Sequence, residues 1–437
     1  MLNKLKQLKP MVKIYDISVS LRKSGFFYII ISSSMVKIVS FASMIFLPRF
    51  LSKSDFGLLT YVDNIRNYVM MLNAIGIAVA TLKYCAKEDT DENKKGYFIA
   101  SLFVGIIFDT LLIIITIIAF LLIPFPFSGT KSLLLLMSFM PLFAFLFDDI
   151  QSLLRACFEN KKYSIFSFLY SFLMVILQIG LAILWRLNGI VIARYIALIL
   201  SLIIGFILIK NIKMISAKAN MPSKNEIAGM IKFGTVMLVG NAASGAILYN
   251  ETFLIGLILK SKSDLADYGV ASNILSISLF LYQSVVFFVY PYFVKHTNDK
   301  QWVWSKFKKL SYINAVVMIP IHILLIIFSK LLILIVFGDK YLGATHIMQM
   351  LLVASLGQAI VRGIAGNILA GIGEESYNLK INVIFTVIHV LINIWALQCF
   401  GINGAAIALT IVYFASGIVM IVHLRNVCRV KVIGNNI

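Results

Sequence analysis

Long apolar runs constrain the fold of this chain more than any other feature of its sequence. A helix needs roughly 20 apolar residues to cross the hydrocarbon core of a bilayer, and about twelve stretches of the chain meet that length. Backbone N–H and C=O groups in lipid must be satisfied inside their own segment, so these runs are predicted to be helices. The predicted spans are 25–47, 59–82, 97–123, 131–155, 163–185, 189–209, 229–258, 267–290, 310–337, 345–371, 378–399 and 403–424.

The composition agrees with a chain that lies mostly in lipid. Hydrophobic residues make up 60% of the 437 positions and charged residues only 13%, whereas soluble domains carry about 25% charged residues. The apolar runs are too long for the strands of a membrane barrel and lack its two-residue alternation. We therefore predict an all-α integral membrane protein.

A net charge of +20 could indicate binding to nucleic acid. The distribution of the positive charges along the chain gives another explanation. If both termini are cytoplasmic, the inner segments hold about two thirds of the Lys and Arg residues and the outer loops about a fifth, as the positive-inside rule requires. The asymmetry predicts cytoplasmic termini and explains the charge without a nucleic-acid surface.

Signatures of cofactor-dependent or hydrolytic chemistry are missing from the sequence. It contains no Walker A motif, no G-x-S-x-G and no H-E-x-x-H. Its four cysteines match no metal-site spacing. We expect no cofactor and no metal, and a transporter rather than an enzyme. The energy would then come from an ion gradient, from the gradient of the substrate or from elsewhere.

The two halves of the chain repeat short segments in the same order. Ser-Lys-Ser-Asp occurs at 52–55 and again at 261–264, and an Asn-Gly pair precedes both the sixth span and the twelfth. Because six helices return the chain to its starting side, we predict two parallel six-helix repeats related by an axis along the membrane normal. The predicted division is an N-terminal bundle at 1–210, a cytoplasmic linker at 211–228 and a C-terminal bundle at 229–437.

Lys37 lies near the middle of the first predicted span. A cation in lipid costs from about 2.5 to over 10 kcal/mol, so it normally faces a partner or a wet cavity. Ser33, Ser34 and Ser40 share its side of a helix and indicate a polar wall. Lys37 is therefore either a ligand for an anionic substrate or the partner of a carboxylate on another helix.

Arg66 lies inside the second span, with Asp63 one turn before it and Asn67 beside it. A guanidinium suits bidentate contact with phosphate. The alternative is a local Asp63–Arg66 pair that neutralises both charges. Two cations on neighbouring spans predict a net-cationic cavity that receives an anion.

Further polar residues within the spans complete the candidate site. Arg362, Asn67 and Asn241 are predicted to line the cavity. For Arg362 the alternatives are a lock on the inner gate, snorkelling to the membrane surface or a fixed salt bridge. Asp63, Asp109 and Glu251 are candidates for coupling to an ion, either H⁺ or Na⁺. The competing interpretations are that Asp109 is a neutral packing residue or pairs with Lys37, and that Glu251 is the partner of an internal cation.

Three segments carry a family resemblance. Residues 48–57, PRFLSKSDFG, resemble the first outer loop of polysaccharide flippases of the multidrug/oligosaccharidyl-lipid/polysaccharide exporter superfamily, and residues 267–271 and 401–406 are similar to later segments. The resemblance implies a V-shaped bundle of twelve or fourteen helices like that of the superfamily's multidrug exporters. It also implies outward movement of undecaprenyl-pyrophosphate-linked oligosaccharides across the bacterial cytoplasmic membrane, for surface polysaccharides such as O-antigen or capsule.

Two other function classes compete with this interpretation. A cation-coupled drug antiporter of the same superfamily would favour an acidic cavity, whereas Lys37, Arg66 and Arg362 favour an anion. A membrane glycosyltransferase or polymerase would carry large outer loops with catalytic side chains, whereas the predicted outer loops are short. We therefore predict a flippase whose partners are a lipid-linked oligosaccharide, membrane lipids and a coupling ion.

Overall fold

The all-α prediction is confirmed. The computed structural model describes residues 26–210 and 212–429, with the side chains at 26–31, 33, 240, 241, 243, 244, 246–248 and 287 left aside. Every regular element in these ranges is a helix.

The first half of the chain forms nine helices. They are α1 (Phe26–Phe50), α2 (Lys53–Met70), a 3₁₀ turn (Asn73–Gly76), α3 (Ile77–Lys87), α4 (Asp91–Leu122), α5 (Thr130–Met137), α6 (Met140–Ala156), α7 (Asn160–Lys210) and α8 (Lys213–Ser216) within the described ranges.

The second half adds ten elements. They are α9 (Lys224–Ile258), α10 (Lys262–Lys295), α11 (Lys300–Ile327), α12 (Ser329–Val336), a 3₁₀ turn (Asp339–Tyr341), α13 (Ala344–Leu356), a π-helical turn (Gly357–Arg362), α14 (Gly363–Gly371), α15 (Glu375–Phe400) and α16 (Ile402–Arg429) within the described ranges.

These helices follow the predicted spans. In the described part of the chain, eight helices are long and apolar enough to cross a membrane, or nine if α2 and the bent continuation into α3 count as one span. The 51-residue α7 covers two predicted spans, because Trp185 and Arg186 interrupt it with non-helical backbone angles. The chain is thus a multi-pass membrane protein.

The repeated Ser-Lys-Ser-Asp segments have the same local role. Ser52 caps α2 by accepting a hydrogen bond from the Asp55 N–H at 3.0 Å, and Ser261 caps α10 by accepting one from the Asp264 N–H at 3.2 Å. A serine cap followed by an early acidic residue satisfies free N–H groups and matches the helix dipole. The local repeat is therefore a pair of equivalent helix starts.

The chain folds into two compact units. The predicted division into six helices and six helices follows the order of the chain, whereas these units are defined by which residues contact one another. In the units, α2 belongs with the later helices. The predicted bundles at 1–210 and 229–437 stay a prediction. The first unit comprises the described residues up to Ser43 with Leu72–Ile123 and Leu133–Leu238, and the second comprises Met44–Met71, Pro124–Ser132 and the described residues from Val239 onward.

The second predicted span is broken inside the first unit. Ala74, Ile75 and Gly76 have φ angles of 43°, 49° and 74°, in the left-handed region that suits glycine and disfavours a β-branched residue. Gly76 also lies against the backbone of Gly234, where a Cβ would come within 2.5 Å of the carbonyl oxygen. The break therefore requires a glycine and stores backbone strain at its neighbours.

We expect Gly76→Ala to lower the free energy of unfolding by at least about 1 kcal/mol, since it adds left-handed strain and a clash with Gly234. The measurement is thermal or denaturant unfolding in mild detergent. Gly180→Ala is the matched control, because Gly180 lies in α7 with no atom near its added Cβ. Equal stability of the two variants would contradict this account of the break.

Candidate functional site

Arg66 forms the local ion pair that its spacing permits. Its Nε lies 3.4 Å from Oδ1 of Asp63, and its Nη2 donates to Oδ1 of Asn67 at 3.0 Å. The Arg66 and Asp63 side chains are 26% and 24% exposed, so the pair is only partly enclosed. Asp63 thus balances the charge of Arg66, and its role as an ion-coupling group stays a prediction.

Packing in the second unit orients the helix that carries Arg66. The side-chain amide of Asn64 donates to the Tyr249 carbonyl at 2.8 Å and ties α2 to α9. At the start of α2, Lys53 pairs with Asp267 of α10 at 2.7 Å. These two polar contacts, both before Arg66 along α2, help to set the position and rotation of its helix.

Lys37 lies on α1 in the first unit and is exposed there, as is Ser34. Ser40 donates its hydroxyl to the Val36 carbonyl at 2.8 Å within the same helix. Lys37 and Arg66 belong to different units, so the expectation that they share one cavity stays a prediction. Asn241 belongs to α9, but its side chain lies outside the described residues.

Arg362 closes the π-helical turn of the tenth predicted span. It donates to Oε1 of Gln358 and Oδ1 of Asn382, each at 2.8 Å. Its guanidinium carbon lies 5.4 Å from the ring centre of Tyr413. In the described structure these partners are neutral, and Arg362 forms no salt bridge with a carboxylate. A guanidinium held by amide oxygens retains its full positive charge for an anion.

The π-turn itself is stabilised by a side chain. A π-turn shifts the backbone pairing of a helix and leaves carbonyl groups to be satisfied elsewhere. The amide of Asn314, on α11, donates to the Ala359 carbonyl at 2.9 Å. This contact lets the turn persist in a buried part of the second unit and directs Arg362 toward α15 and α16.

Glu251 is buried against a histidine. Only 2% of its side chain is exposed, and its Oε1 lies 3.4 Å from Nε2 of the fully buried His389. Asn393 lies one turn after His389 and is also fully buried. Oε1 of Glu251, both ring nitrogens of His389 and both amide atoms of Asn393 have no hydrogen-bond partner within the described structure. Such orphaned groups are costly, which marks the cluster as a candidate site for a small ligand or proton.

The contact of Glu251 with His389 was not predicted from the sequence. The contacts of Arg362 with Asn382 and Tyr413 were not predicted either. These pairs are far apart in the chain, and one sequence carries no signal for contact at such separations. The Gln358–Arg362 contact had a signal, because residues four apart meet on one helix face.

Asp109 has a structural role at the broken span. It is fully buried on α4, and its Oδ1 accepts a hydrogen bond from the Ala74 N–H at 2.6 Å. The carboxylate thus satisfies a backbone donor that the left-handed turn removes from the helix ladder. Nearby in the same unit, Asp149 accepts from Thr81 at 2.6 Å and from Ser101 at 2.9 Å. A role for Asp109 in ion coupling stays a prediction.

No group of three or more His, Cys, Asp or Glu residues that could hold a metal occurs among the described residues.

We expect Asp109→Ala to destabilise the protein by about 1–3 kcal/mol, because it leaves the buried Ala74 N–H without an acceptor. Asp109→Asn keeps an acceptor oxygen and should recover part of that loss. Unfolding in detergent measures both changes. Thr116→Val is the matched control, since Thr116 is buried on the same helix and its hydroxyl donates to the Ile113 carbonyl of that helix. If Asp109→Ala were as stable as Thr116→Val, the capping role would be wrong.

Comparison with solved structures places the architecture. The chain superposes on an inward-facing multidrug resistance MATE family transporter of the MOP superfamily with a TM-score of 0.77, at 12% identity, covering 92% of this chain and 98% of the other. It superposes on the lipid II flippase MurJ in an inward closed conformation with a TM-score of 0.69, at 16% identity, covering 91% and 87%. At these identities the likeness shows a shared fold.

Two curated archaeal proteins are related in sequence. The uncharacterized membrane protein MJ1068 of Methanocaldococcus jannaschii is 29% identical over 233 residues, covering 50% of this chain and 43% of that protein. The probable low-salt glycan biosynthesis flippase Agl15 of Haloferax volcanii is 24% identical over 231 residues, covering 52% of this chain and 48% of that protein. The matched region thus spans about half the length of these relatives.

A family profile described as polysaccharide biosynthesis protein matches residues 46–346. The matched range covers more than half of the chain and includes α2, Arg66 and Glu251. This match agrees with the resemblance carried by residues 48–57. The chain belongs to the polysaccharide biosynthesis protein family.

Proposed function

We propose that the protein is a flippase for lipid-linked oligosaccharides. The observation that carries the proposal is Arg362, a guanidinium placed within a membrane helix and held by two amide oxygens. A cation without a carboxylate partner in the described structure is suited to an anionic group that enters from outside. The family and the glycan-flippase relative support a substrate with a sugar headgroup.

The proposed substrate class follows from the ability of such a cation to offset the cost of removing an anion from water. A pyrophosphate linkage is highly charged, and its transfer out of water is costly unless cations replace its hydration. Lys37, Arg66 and Arg362 would contact the pyrophosphate, with Asn67 and Asn241 as amide ligands for phosphate or sugar. The prenyl chain would stay in lipid while the protein alternates between inward-open and outward-open states. No covalent bond changes in this cycle.

We extend the proposal to the biological setting. The substrate would be an undecaprenyl-pyrophosphate-linked repeat unit of a surface polysaccharide, such as O-antigen or capsule. The site of action would be a bacterial cytoplasmic membrane, with both termini on the cytoplasmic side as the Lys and Arg distribution predicts. Movement would be coupled to H⁺ or Na⁺, with Glu251 as the principal candidate and Asp63 and Asp109 as further candidates.

The alternative is a cation-coupled multidrug antiporter. The superposition on a multidrug transporter and the buried Glu251 favour it. Against it, the described side-chain partners of Arg362 leave a positive charge, which repels organic cations. A membrane glycosyltransferase or polymerase is less favoured, because the outer loops are short.

Complementation of a flippase-null strain tests the proposal, with surface polysaccharide and membrane abundance measured in parallel. We expect Arg66→Ala and Arg362→Ala each to reduce display at least about tenfold, because each removes a charge-assisted contact of about 1.5–3 kcal/mol. Lys37→Ala should have a milder effect. Arg66→Lys should retain part of the activity if charge alone matters, and little if the bidentate fork matters.

Arg425→Ala is the control for loss of an arginine, since Arg425 is exposed on α16 beyond the predicted twelfth span. Full display by an Arg66→Ala, Lys37→Ala double variant would contradict the cationic-cavity mechanism. Export of a cationic dye that survives these substitutions, together with failure of the wild type to restore display, would favour the antiporter.

A further inference from the structure

Two ionisable groups of the second unit lie close to one tyrosine. The guanidinium of Arg362 lies 5.4 Å from the ring centre of Tyr413. The hydroxyl of Tyr413 is also within electrostatic reach of Glu251. Tyr413 is only 2% exposed, so it keeps water out of this region and leaves the field between the two charges weakly screened.

Helix α15 supplies a second connection between the same groups. Asn382 accepts a hydrogen bond from Arg362, and His389 faces Glu251. Seven residues separate Asn382 from His389, which is two helical turns on one face and about 10 Å along the axis. Two unit charges at about that distance, in a protein of effective dielectric about 20, change a binding constant about tenfold or more.

Several described helices place side chains next to Glu251 and Arg362. His389 on α15 faces Glu251, and Tyr413 on α16 interacts with Glu251 electrostatically. Tyr413, Tyr282 on α10, Gln358 and Asn382 face Arg362. Among these described neighbours, the carboxyl and imidazole groups that can exchange a proton belong to Glu251 and His389.

We propose that proton binding at the Glu251–His389 pair and anion binding at Arg362 are positively coupled. This inference rests on the proposed function, in which Arg362 contacts an anion. While Glu251 is ionised, its negative field offsets the charge of Arg362 and opposes an incoming anion. Addition of one proton to the pair raises the local charge by one and strengthens the attraction. By linkage, bound anion then increases the affinity for the proton by the same factor.

The choice of a proton over Na⁺ follows from the ligands. The described partner of Glu251 is an imidazole, whose nitrogens bind a proton and are poor ligands for Na⁺. Within the described structure, the ring nitrogens of His389 and the amide atoms of Asn393 have no hydrogen-bond partner, which leaves the cluster able to take up a proton.

Positive coupling favours simultaneous occupation of this unit by proton and anion. Exchange of one for the other, as in an antiporter, would need negative coupling.

The test is anion binding by calorimetry to the full chain in lipid nanodiscs, between about pH 5 and 8. Pyrophosphate first establishes binding. Methanedisulfonate, a dianion of similar shape whose sulfonates do not titrate in this range, then reports the pH dependence of the protein alone. We expect the wild type to bind methanedisulfonate about tenfold more tightly at the acid end, and Glu251→Gln to bind tightly throughout.

Two variants control for nonspecific effects of the substitution. Glu251→Asp keeps an ionisable group and should keep the pH dependence. Glu374→Gln should also leave it unchanged, because Glu374 pairs with a different histidine, His423, at 3.1 Å in the same unit. Replacement of Na⁺ by choline should not alter the result. A requirement for Na⁺ would overturn the choice of ion.

A wild-type measurement covers the case in which Glu251→Gln does not fold. Titration of methanedisulfonate in buffers of different ionisation enthalpy should show proton uptake on binding, and no uptake or net release would overturn the coupling. Anion binding by Arg362 and its coupling to the proton can be tested separately. If neither anion binds, or if Arg362→Ala binds as the wild type does, the role of Arg362 in the proposed function is wrong. If Arg362→Ala abolishes binding but affinity is independent of pH, only the coupling is wrong.

Discussion

The structure depends on one constraint, which is that each backbone N–H and C=O group in lipid must have a partner in the protein. Long helices meet this requirement locally, which explains why helices account for the regular structure of the described chain. The exceptions show the rule at work. Where the second span turns left-handed, Asp109 accepts the Ala74 N–H; where the tenth span makes a π-turn, Asn314 donates to the Ala359 carbonyl.

The cost of burying polar groups in lipid also applies to the charged side chains within the spans. A buried charge is tolerated only with compensation, and the kind of compensation separates structural charges from available ones. Asp109 accepts a backbone N–H through Oδ1, and Arg66 is balanced by Asp63 one turn away. Arg362 is oriented by amides but keeps its charge, and Glu251 faces His389. The proposed transport function therefore rests most directly on the second unit.

The spans are predictable from the sequence because apolar length is a strong signal that needs no tertiary information. The Ser-Lys-Ser-Asp repeats are also visible in the sequence, and the structure explains them as helix caps. The break at residues 74–76 is not predictable, since a single glycine such as Gly76 is tolerated in an apolar helix and Ala and Ile there carry no turn signature. The π-turn was also unpredictable, because it depends on Asn314 from a helix remote in sequence.

By itself, the sequence determined the helical class, the spans and the polar residues placed within them, because hydrophobicity and helical period act over one turn or one bilayer thickness. Tertiary structure alone decided which of those polar residues meet. Glu251 pairs with His389 rather than with a lysine or arginine, and Arg362 rests on Tyr413 and Asn382. Such contacts depend on how helices rotate and pack, and the energy that sets this rotation is shared among many side chains rather than held in any local pattern.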